Sequence, residues 1–183
     1  MIVIEPPPSA GRSGHPPLNK RALAQFLRRA IQAVPVHGTV SVMLTDDASI
    51  RELNRRFRHK DKATDVLSFP AASEGQSPGR RIAGDLAISL DLAAAQAGRF
   101  GHSLDVEVRI LMLHGLLHLA GWDHEADHGE MAAREQELRG ELDLPMALIE
   151  RAASAALDVR PRSGASHGSA ARMSGASRRR QAR

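Results

Sequence analysis

The sequence lacks cysteine and tyrosine, and it has only one tryptophan and four phenylalanines among 183 residues. Without cysteine there is neither a disulfide framework nor a thiolate metal site, so histidine and carboxylate side chains must hold any bound metal. The shortage of aromatic rings argues against a surface that stacks many successive bases. If the chain binds nucleic acid, we therefore expect it to do so mainly through phosphates and shape.

Long apolar runs are also missing. The most apolar stretch, residues 111–122, is interrupted by two histidines, and it falls far short of the ~20 residues that a membrane span needs. Residues 1–5 have neither the basic region nor the long apolar region of a secretory signal. We therefore expect a cytoplasmic protein with no membrane partner, and the absence of cysteine is compatible with that reducing compartment.

Acidic residues are absent from residues 160–183, which carry seven arginines. Residues 1–159 hold 18 basic and 21 acidic residues, a net charge of −3, although the whole chain has a formal charge of +4. The C-terminal segment is rich in Ser, Gly, Ala and Arg and has almost nothing apolar to bury, so we predict a disordered basic tail over residues 159–183. The tail is either an arm that contacts phosphates or a solubilising extension.

A mass of 19.7 kDa suits one domain, which we place at residues 1–158. Residues 5–17 contain five prolines and predict a loop. Apolar periodicity predicts strands at 2–4, 39–44, 66–69 and 85–90, helices at 20–34, 46–57, 91–99, 103–120 and 125–141, and a further helical pattern at 145–157. This order predicts an α/β (α+β) fold, with a small mixed sheet of about four strands packed against about five helices.

The helix predicted at residues 46–57 combines an apolar stripe with a concentration of positive charge. Ile50, Leu53 and Phe57 are spaced to face the core. Six basic residues, which we call the basic cluster, lie close to only two acidic ones, Glu52 and Asp61: Arg51, Arg55, Arg56, Arg58, Lys60 and Lys62. Such a cluster is either a solvated helix face or a contact surface for a polyanion.

Three histidines have the spacing of a metal site. His114 and His118 are one helical turn apart, so a helix presents both imidazoles on one face. Gly121 can adopt the left-handed geometry that would turn His124 back toward them. Three neutral imidazoles with an open fourth position are typical of catalytic zinc. The alternatives are histidines satisfied in the core or at the surface, and a purely structural metal.

The same segment overlays the zinc signature of metzincin peptidases, H-E-x-x-H-x-x-G-x-x-H, except at one position. The glutamate that acts as the peptidase base is replaced by Gly115, which has no side chain to take a proton. This substitution argues against ordinary proteolysis. Asp123, beside the third histidine, either orients a ligand imidazole or caps the turn.

Residues 114–124, HGLLHLAGWDH, follow the pattern H-G-x-L-H-L-x-G-x-D-H, which resembles the YbeY family of bacterial endoribonucleases that mature ribosomal RNA. Two further stretches carry the resemblance, NRRFRHKDKATDVLSFP at residues 54–70 and GDLAI at residues 84–88. The matches keep the family's order and cover residues 40–141. The proline-rich loop and the arginine-rich tail depart from the compact family pattern.

The resemblance implies a zincin-like fold whose metal-binding helix lies near residues 103–120, with one Zn²⁺ on His114, His118 and His124. It implies that Arg58 is a catalytic residue for RNA cleavage, a role that suits a guanidinium able to hold two phosphate oxygens. The sequence identifies no general base.

The function implied is that of a single-strand-specific, zinc-dependent endoribonuclease in 16S ribosomal RNA 3′ end maturation and in ribosome quality control. Its implied partners are ribosomal RNA, proteins of the small ribosomal subunit and the Era GTPase. The alternative is a non-catalytic ribosome assembly factor with a structural zinc, and a metallopeptidase is the less favoured third interpretation.

Overall fold

The computed structural model describes residues 3–5, 14–72, 81–124 and 126–145. The strands are β1 (Val3–Glu5), β2 (Thr39–Thr45), β3 (Val66–Pro70) and β4 (Ile82–Ser89). The helices are α1 (Lys20–Ala33), α2 (Asp47–Arg58), α3 (Leu90–Phe100), α4 (Leu104–Leu119) and α5 (Glu130–Glu141). Residues 6–13 of the predicted loop, and residues 146–183 with the predicted last helix and basic tail, lie outside the described residues.

The four strands form one mixed sheet in the order β1-β2-β4-β3. β1 and β4 both run parallel to β2, whereas β3 pairs antiparallel with β4. The prediction of an α+β fold with a small mixed sheet of about four strands and about five helices is confirmed for the part of the chain that the structure describes.

Side-chain caps begin the helices where the sequence predicted them. Each cap accepts a hydrogen bond from the backbone N–H three residues on: Asn19 from Ala22, Asp46 from Ser49 and Ser103 from Val106.

The helix predicted at residues 125–141 begins later, at Glu130. The Asp127 carboxylate accepts hydrogen bonds from the N–H groups of Gly129 and Met131, at 2.9 and 2.7 Å. These bonds close a turn ahead of α5, so residues 126–129 are not helical.

The pleat of the sheet separates two apolar layers. Leu86 and Ile88 of β4 face the main core, to which α1, α3, α4 and α5 contribute. Ala87 between them faces the opposite side, where Ile50 of α2 packs with Leu67 of β3. Because alternate residues of a strand point to opposite faces, α4 and α2 lie on opposite faces of the same sheet.

The apolar stripe of α2 reaches the sheet only in part. Ile50 is fully buried and Leu53 is half-buried, but Phe57 in the last turn is 54% exposed. The prediction that Phe57 faces the core is therefore wrong. The last turn of α2 packs beside β3, which ends the described sheet on that side, so the sheet does not extend far enough to cover the ring.

α4 is the central helix of the main core. Between residues 110 and 119, every side chain is buried except those of His114, His118 and Leu119. In this C-terminal half of α4, the strip with His114 and His118 is therefore the one that presents polar groups to the surface. No described helix has the length and apolar character that a membrane crossing requires.

Two glycines allow α4 to lie close against the sheet. A Cβ at Gly115 would come within 2.8 Å of Leu86 Cδ2, and the Gly115 carbonyl accepts a hydrogen bond from Ser68 Oγ at 3.2 Å. Gly84 has a φ of +153°, and a Cβ there would lie 2.4 Å from the Phe69 carbonyl oxygen and 2.7 Å from Leu119 Cδ2. The carbonyl belongs to the backbone of a paired strand, so it cannot easily move aside.

We expect Gly84→Ala to lower the free energy of unfolding by about 2 kcal/mol or more, since the new methyl group meets a fixed backbone oxygen at a left-handed φ. Gly98 provides the matched control because it is exposed on α3, where an added methyl group would meet no other atom within 4 Å. Gly98→Ala should raise stability by about 0.5–1 kcal/mol. Urea unfolding of both variants checks this, and equal stabilities would contradict the close packing at Gly84.

Candidate metal centre

Three histidines converge at the C-terminal end of α4. His114 and His118 lie one turn apart on that helix, and the chain reverses at Gly121, where φ is +91°, to bring His124 back. One ligand nitrogen from each histidine lies within 4.8 Å of the others. The ring centroids are 4.8, 5.1 and 5.4 Å apart. The structure thus brings together all three histidines that the sequence singled out.

Hydrogen bonds orient two of the rings. Nδ1 of His114 lies 2.9 Å from Oε2 of Glu135, and Nδ1 of His118 lies 2.9 Å from the backbone carbonyl oxygen of Trp122. A carboxylate and a carbonyl can only accept, so each Nδ1 carries the proton and donates it. In the neutral form of each ring, Nε2 is then left with a lone pair.

These two lone pairs provide a test of whether the site suits a metal ion. The Nε2 atoms of His114 and His118 lie 3.2 Å apart, and two lone pairs at that distance repel each other. A cation bound by both nitrogens removes the repulsion. The chemistry and orientation of the donors therefore fit a metal ion, with His124 as the third ligand.

A buried ion pair on α5 supports the first ligand. The Glu135 side chain is 7% exposed and that of Arg139 2%. The Arg139 guanidinium donates from Nε to Glu135 at 2.9 Å and from Nη1 to the Pro145 carbonyl at 3.0 Å. Burial by itself would raise the pKa of Glu135, but its contacts with His114 and Arg139 together outweigh burial and lower that pKa. Glu135 is therefore an ionised acceptor that fixes the orientation of His114.

Electrostatics keep the second ligand in its metal-binding form. Burial, followed by the neighbouring His114 and His124, lowers the pKa of His118. His118 is thus neutral at pH 7, and only a neutral imidazole nitrogen can bind a metal. His124 is exposed, in contrast to the half-buried His114 and His118. The site is consequently open on the His124 side, as a catalytic metal centre requires.

Sequence reasoning missed Glu135 and Arg139. The available signal was an acid and a base at positions i and i+4 of a predicted helix, but such pairs are common on exposed helix faces. Only the packing of α5 against α4 shows that this pair is buried and points at His114.

Gly115 and Asp123, which are next to the ligand histidines in the sequence, take part in helix packing and in a backbone turn. Gly115 is buried against the sheet, and a glutamate at this position would enter the space that Leu86 fills. The position that the peptidase base would occupy therefore faces the packed core and has no room for a glutamate side chain. The backbone carbonyl of Asp123 accepts hydrogen bonds from the N–H groups of Ala126 and Asp127, which closes the turn after the helix.

Arg58 is the last residue of α2 and is exposed. It lies on the sheet face opposite to α4, but both helices approach Phe69 on β3. Phe57, next to Arg58, packs edge-on against Phe69 with the ring centroids 5.2 Å apart. From the other face, Leu119 approaches the Phe69 backbone at Gly84. Phe57 of α2 and Leu119 of α4 therefore approach the same residue of β3 from opposite faces of the sheet.

The basic cluster is partly neutralised within α2 and the loop that follows it. Arg51 donates two hydrogen bonds to Asp61, at 2.8 and 3.0 Å. Arg55 similarly binds Glu52 through hydrogen bonds of 2.8–3.0 Å. Six basic residues against two acidic ones still leave the region with a net positive charge, and the basic residues around the end of α2 are all exposed: Arg56, Arg58, Lys60 and Lys62.

Comparison with known proteins identifies the family. The family model described as Endoribonuclease YbeY matches residues 14–143. The endoribonuclease YbeY of Koribacter versatilis is 57% identical over 134 residues, which are 73% of this chain and 84% of that protein. The endoribonuclease YbeY of Solibacter usitatus is 50% identical over 137 residues, 75% of this chain and 88% of that protein.

Among solved structures, a Thermotoga maritima protein determined in solution aligns with a TM-score of 0.49 at 26% identity, covering 90% of this chain and 100% of that one. The family assignment comes from the sequence matches, which contain α2, β3 and all three histidines. This chain belongs to the YbeY endoribonuclease family.

Proposed function

We propose that this protein is a zinc-dependent endoribonuclease that cleaves single-stranded regions of ribosomal RNA. Family membership supports RNA cleavage. The observation that carries the metal part is the set of three converging imidazoles, two of them with Nε2 atoms 3.2 Å apart. Three histidine ligands and an open position are the arrangement of catalytic zinc, whereas structural zinc sites are closed by four protein ligands.

In this proposal the metal ligands, the positioning residue and the phosphate-binding residue are different side chains. His114, His118 and His124 hold the ion, and Glu135 keeps His114 oriented toward it. With zinc bound, the site would supply a Lewis acid toward a phosphate oxygen or toward water at neutral pH. Arg58 binds two oxygens of the scissile phosphate and stabilises the negative charge that builds up as the bond breaks.

The biological step in this proposal is 16S ribosomal RNA 3′ end maturation together with ribosome quality control, in the cytoplasm. The partners are proteins of the small ribosomal subunit and the Era GTPase. Support for this step comes from the resemblance of residues 54–70 and 114–124 to the family pattern.

Incubation of purified protein with ribosomal RNA, with and without a chelator, tests the proposal against its alternatives. Cleavage that the chelator stops and zinc restores is the expected result. RNA that is bound but left intact would instead favour an assembly factor with a structural metal. A casein-like peptide included in parallel should remain uncut. The RNA ends identify the nucleophile, since a cyclic phosphate means attack by the 2′-hydroxyl and a simple monophosphate means attack by water.

We expect the parent protein to bind about one zinc ion per chain and His118→Ala to lose most of it, because a three-histidine site cannot lose a ligand without a large fall in affinity. His37→Ala is the matched control, since His37 is exposed in the loop before β2. Metal analysis after dialysis against a weak chelator measures both. Undiminished zinc in His118→Ala would show that the ion binds elsewhere.

We expect Arg58→Ala to reduce the rate of RNA cleavage by about 100-fold or more, the usual effect of removing one donor to a developing oxyanion. Arg58→Lys keeps the charge but lacks the planar fork, so it should also be impaired. Arg55→Lys is the control on the same helix, because Arg55 is engaged by Glu52. Zinc content should be the same in all three variants, and parental cleavage by both Arg58 variants would exclude a catalytic role.

We expect truncation after Val159 to weaken RNA binding and to flatten its salt dependence. Each phosphate contact to single-stranded RNA contributes about 0.7 to the log–log slope, and seven arginines are removed. Affinity measured from low to moderate salt checks this, with a full-length variant carrying Ser at the seven positions as a control for length. Superimposable salt curves would show that the tail does not contact RNA.

A further inference from the structure

Phe57 is a large apolar side chain in an unusual position. It continues the stripe of Ile50 and Leu53 on α2, yet more than half of its surface is exposed. The other large apolar residue that is comparably exposed in the described part of the chain is Ile82, at 50%. Ile82 is distant in sequence from the residues of the basic cluster, whereas Phe57 lies between two of them, Arg56 and Arg58.

The Phe57 ring is held in place by two contacts. Phe69 packs against it with an interplanar angle of 70°, and the Arg56 guanidinium carbon lies 5.3 Å from the centroid of the ring. A ring that is already positioned loses little conformational entropy when a flat ligand stacks on it.

Charge around the ring indicates what that ligand is. The basic cluster has six basic residues against two acidic ones, Glu52 and Asp61, and its members around the end of α2 are exposed. A ligand that combines a flat apolar face with negative charge suits such a surface, and an unpaired nucleotide has both. An apolar protein partner would account for the ring but would leave the cations without a role.

We propose that Phe57, supported by Phe69, stacks one unpaired nucleobase of the RNA substrate next to the scissile phosphate. The inference rests on the proposed function and specifies how the site holds its substrate. Arg58 follows Phe57 in the last turn of α2. Consecutive side chains of a helix diverge, so the proposal places the stacked base and the phosphate that Arg58 binds on neighbouring parts of the same RNA strand. A base paired in a duplex offers no free face, and the site therefore selects single-stranded RNA.

The test is a binding measurement with a short single-stranded RNA that is 2′-O-methylated to block attack by the 2′-hydroxyl. Gel analysis after each measurement checks that the RNA has also not been hydrolysed by water. Bases are removed one at a time to leave abasic positions, which keep the phosphate charge. In the parent protein we expect one position to dominate, with an affinity loss of about 5- to 150-fold, the range found for one base on one aromatic ring. In Phe57→Leu, removal of the base at that position should no longer lower the affinity. The slope of affinity against salt should stay at the parental value.

Two further variants separate stacking from other roles. Phe57→Trp retains a flat ring and should retain the dominant position. Ile82→Thr removes an equally exposed apolar side chain outside the basic cluster and should bind as the parent does. Thermal melting of each variant shows whether the fold is intact.

Several results would overturn the inference. One is an abasic scan of the parent protein in which no position dominates, and this result counts even if Phe57→Leu does not fold. Another is a Phe57→Leu variant that weakens binding of intact and abasic RNA equally. If the parent protein neither binds nor cleaves RNA, the proposed function itself fails, and that outcome is distinct from both.

Discussion

Helix α4 packs on the sheet at Gly115, where the backbone of the helix comes close to Leu86 and to Ser68. In the C-terminal half of α4, the packing of the helix leaves one strip, with His114 and His118, to reach the surface. A side chain at Gly115 would push the helix away from the sheet. The same displacement would move both imidazoles relative to α5, which holds Glu135. The position of the metal centre thus depends on the absence of one Cβ.

The ion pair of Glu135 and Arg139 is understood best as a part of that metal centre. A buried ion pair is weak evidence for stability, because removing two charges from water costs about as much as their attraction returns. Here the carboxylate also accepts from His114, and the guanidinium also donates to the Pro145 carbonyl. The pair therefore links the chain after α5 to the ligand on α4. The pair orients the imidazole of His114. A metal site needs such orientation, and a purely apolar core would not supply it.

β3 connects the two halves of the proposed active site. Adjacent residues on this strand face opposite sides of the sheet, so Ser68 contacts α4 while Phe69 contacts Phe57 of α2. If β3 lay in the middle of a sheet, strands on both sides of it would separate the elements that pack on the two faces. At the edge of the described sheet, however, Phe69 lies close to elements on both faces, Phe57 of α2 on one side and Leu119 of α4 on the other. A single exposed aromatic ring in this place also agrees with a chain that has few aromatic residues.

The sequence by itself determined the local features. The spacing of His114 and His118, the reversal at Gly121 and the capping residues all act over a few positions, where helical geometry leaves little choice. The tertiary structure alone decided three others: the burial of Glu135, the exposure of Phe57 and the neutralisation of Arg51. Each depends on which element packs against which, and on where the sheet ends. Periodicity predicts which face of a helix is apolar, but it does not show whether a neighbour is present to cover that face.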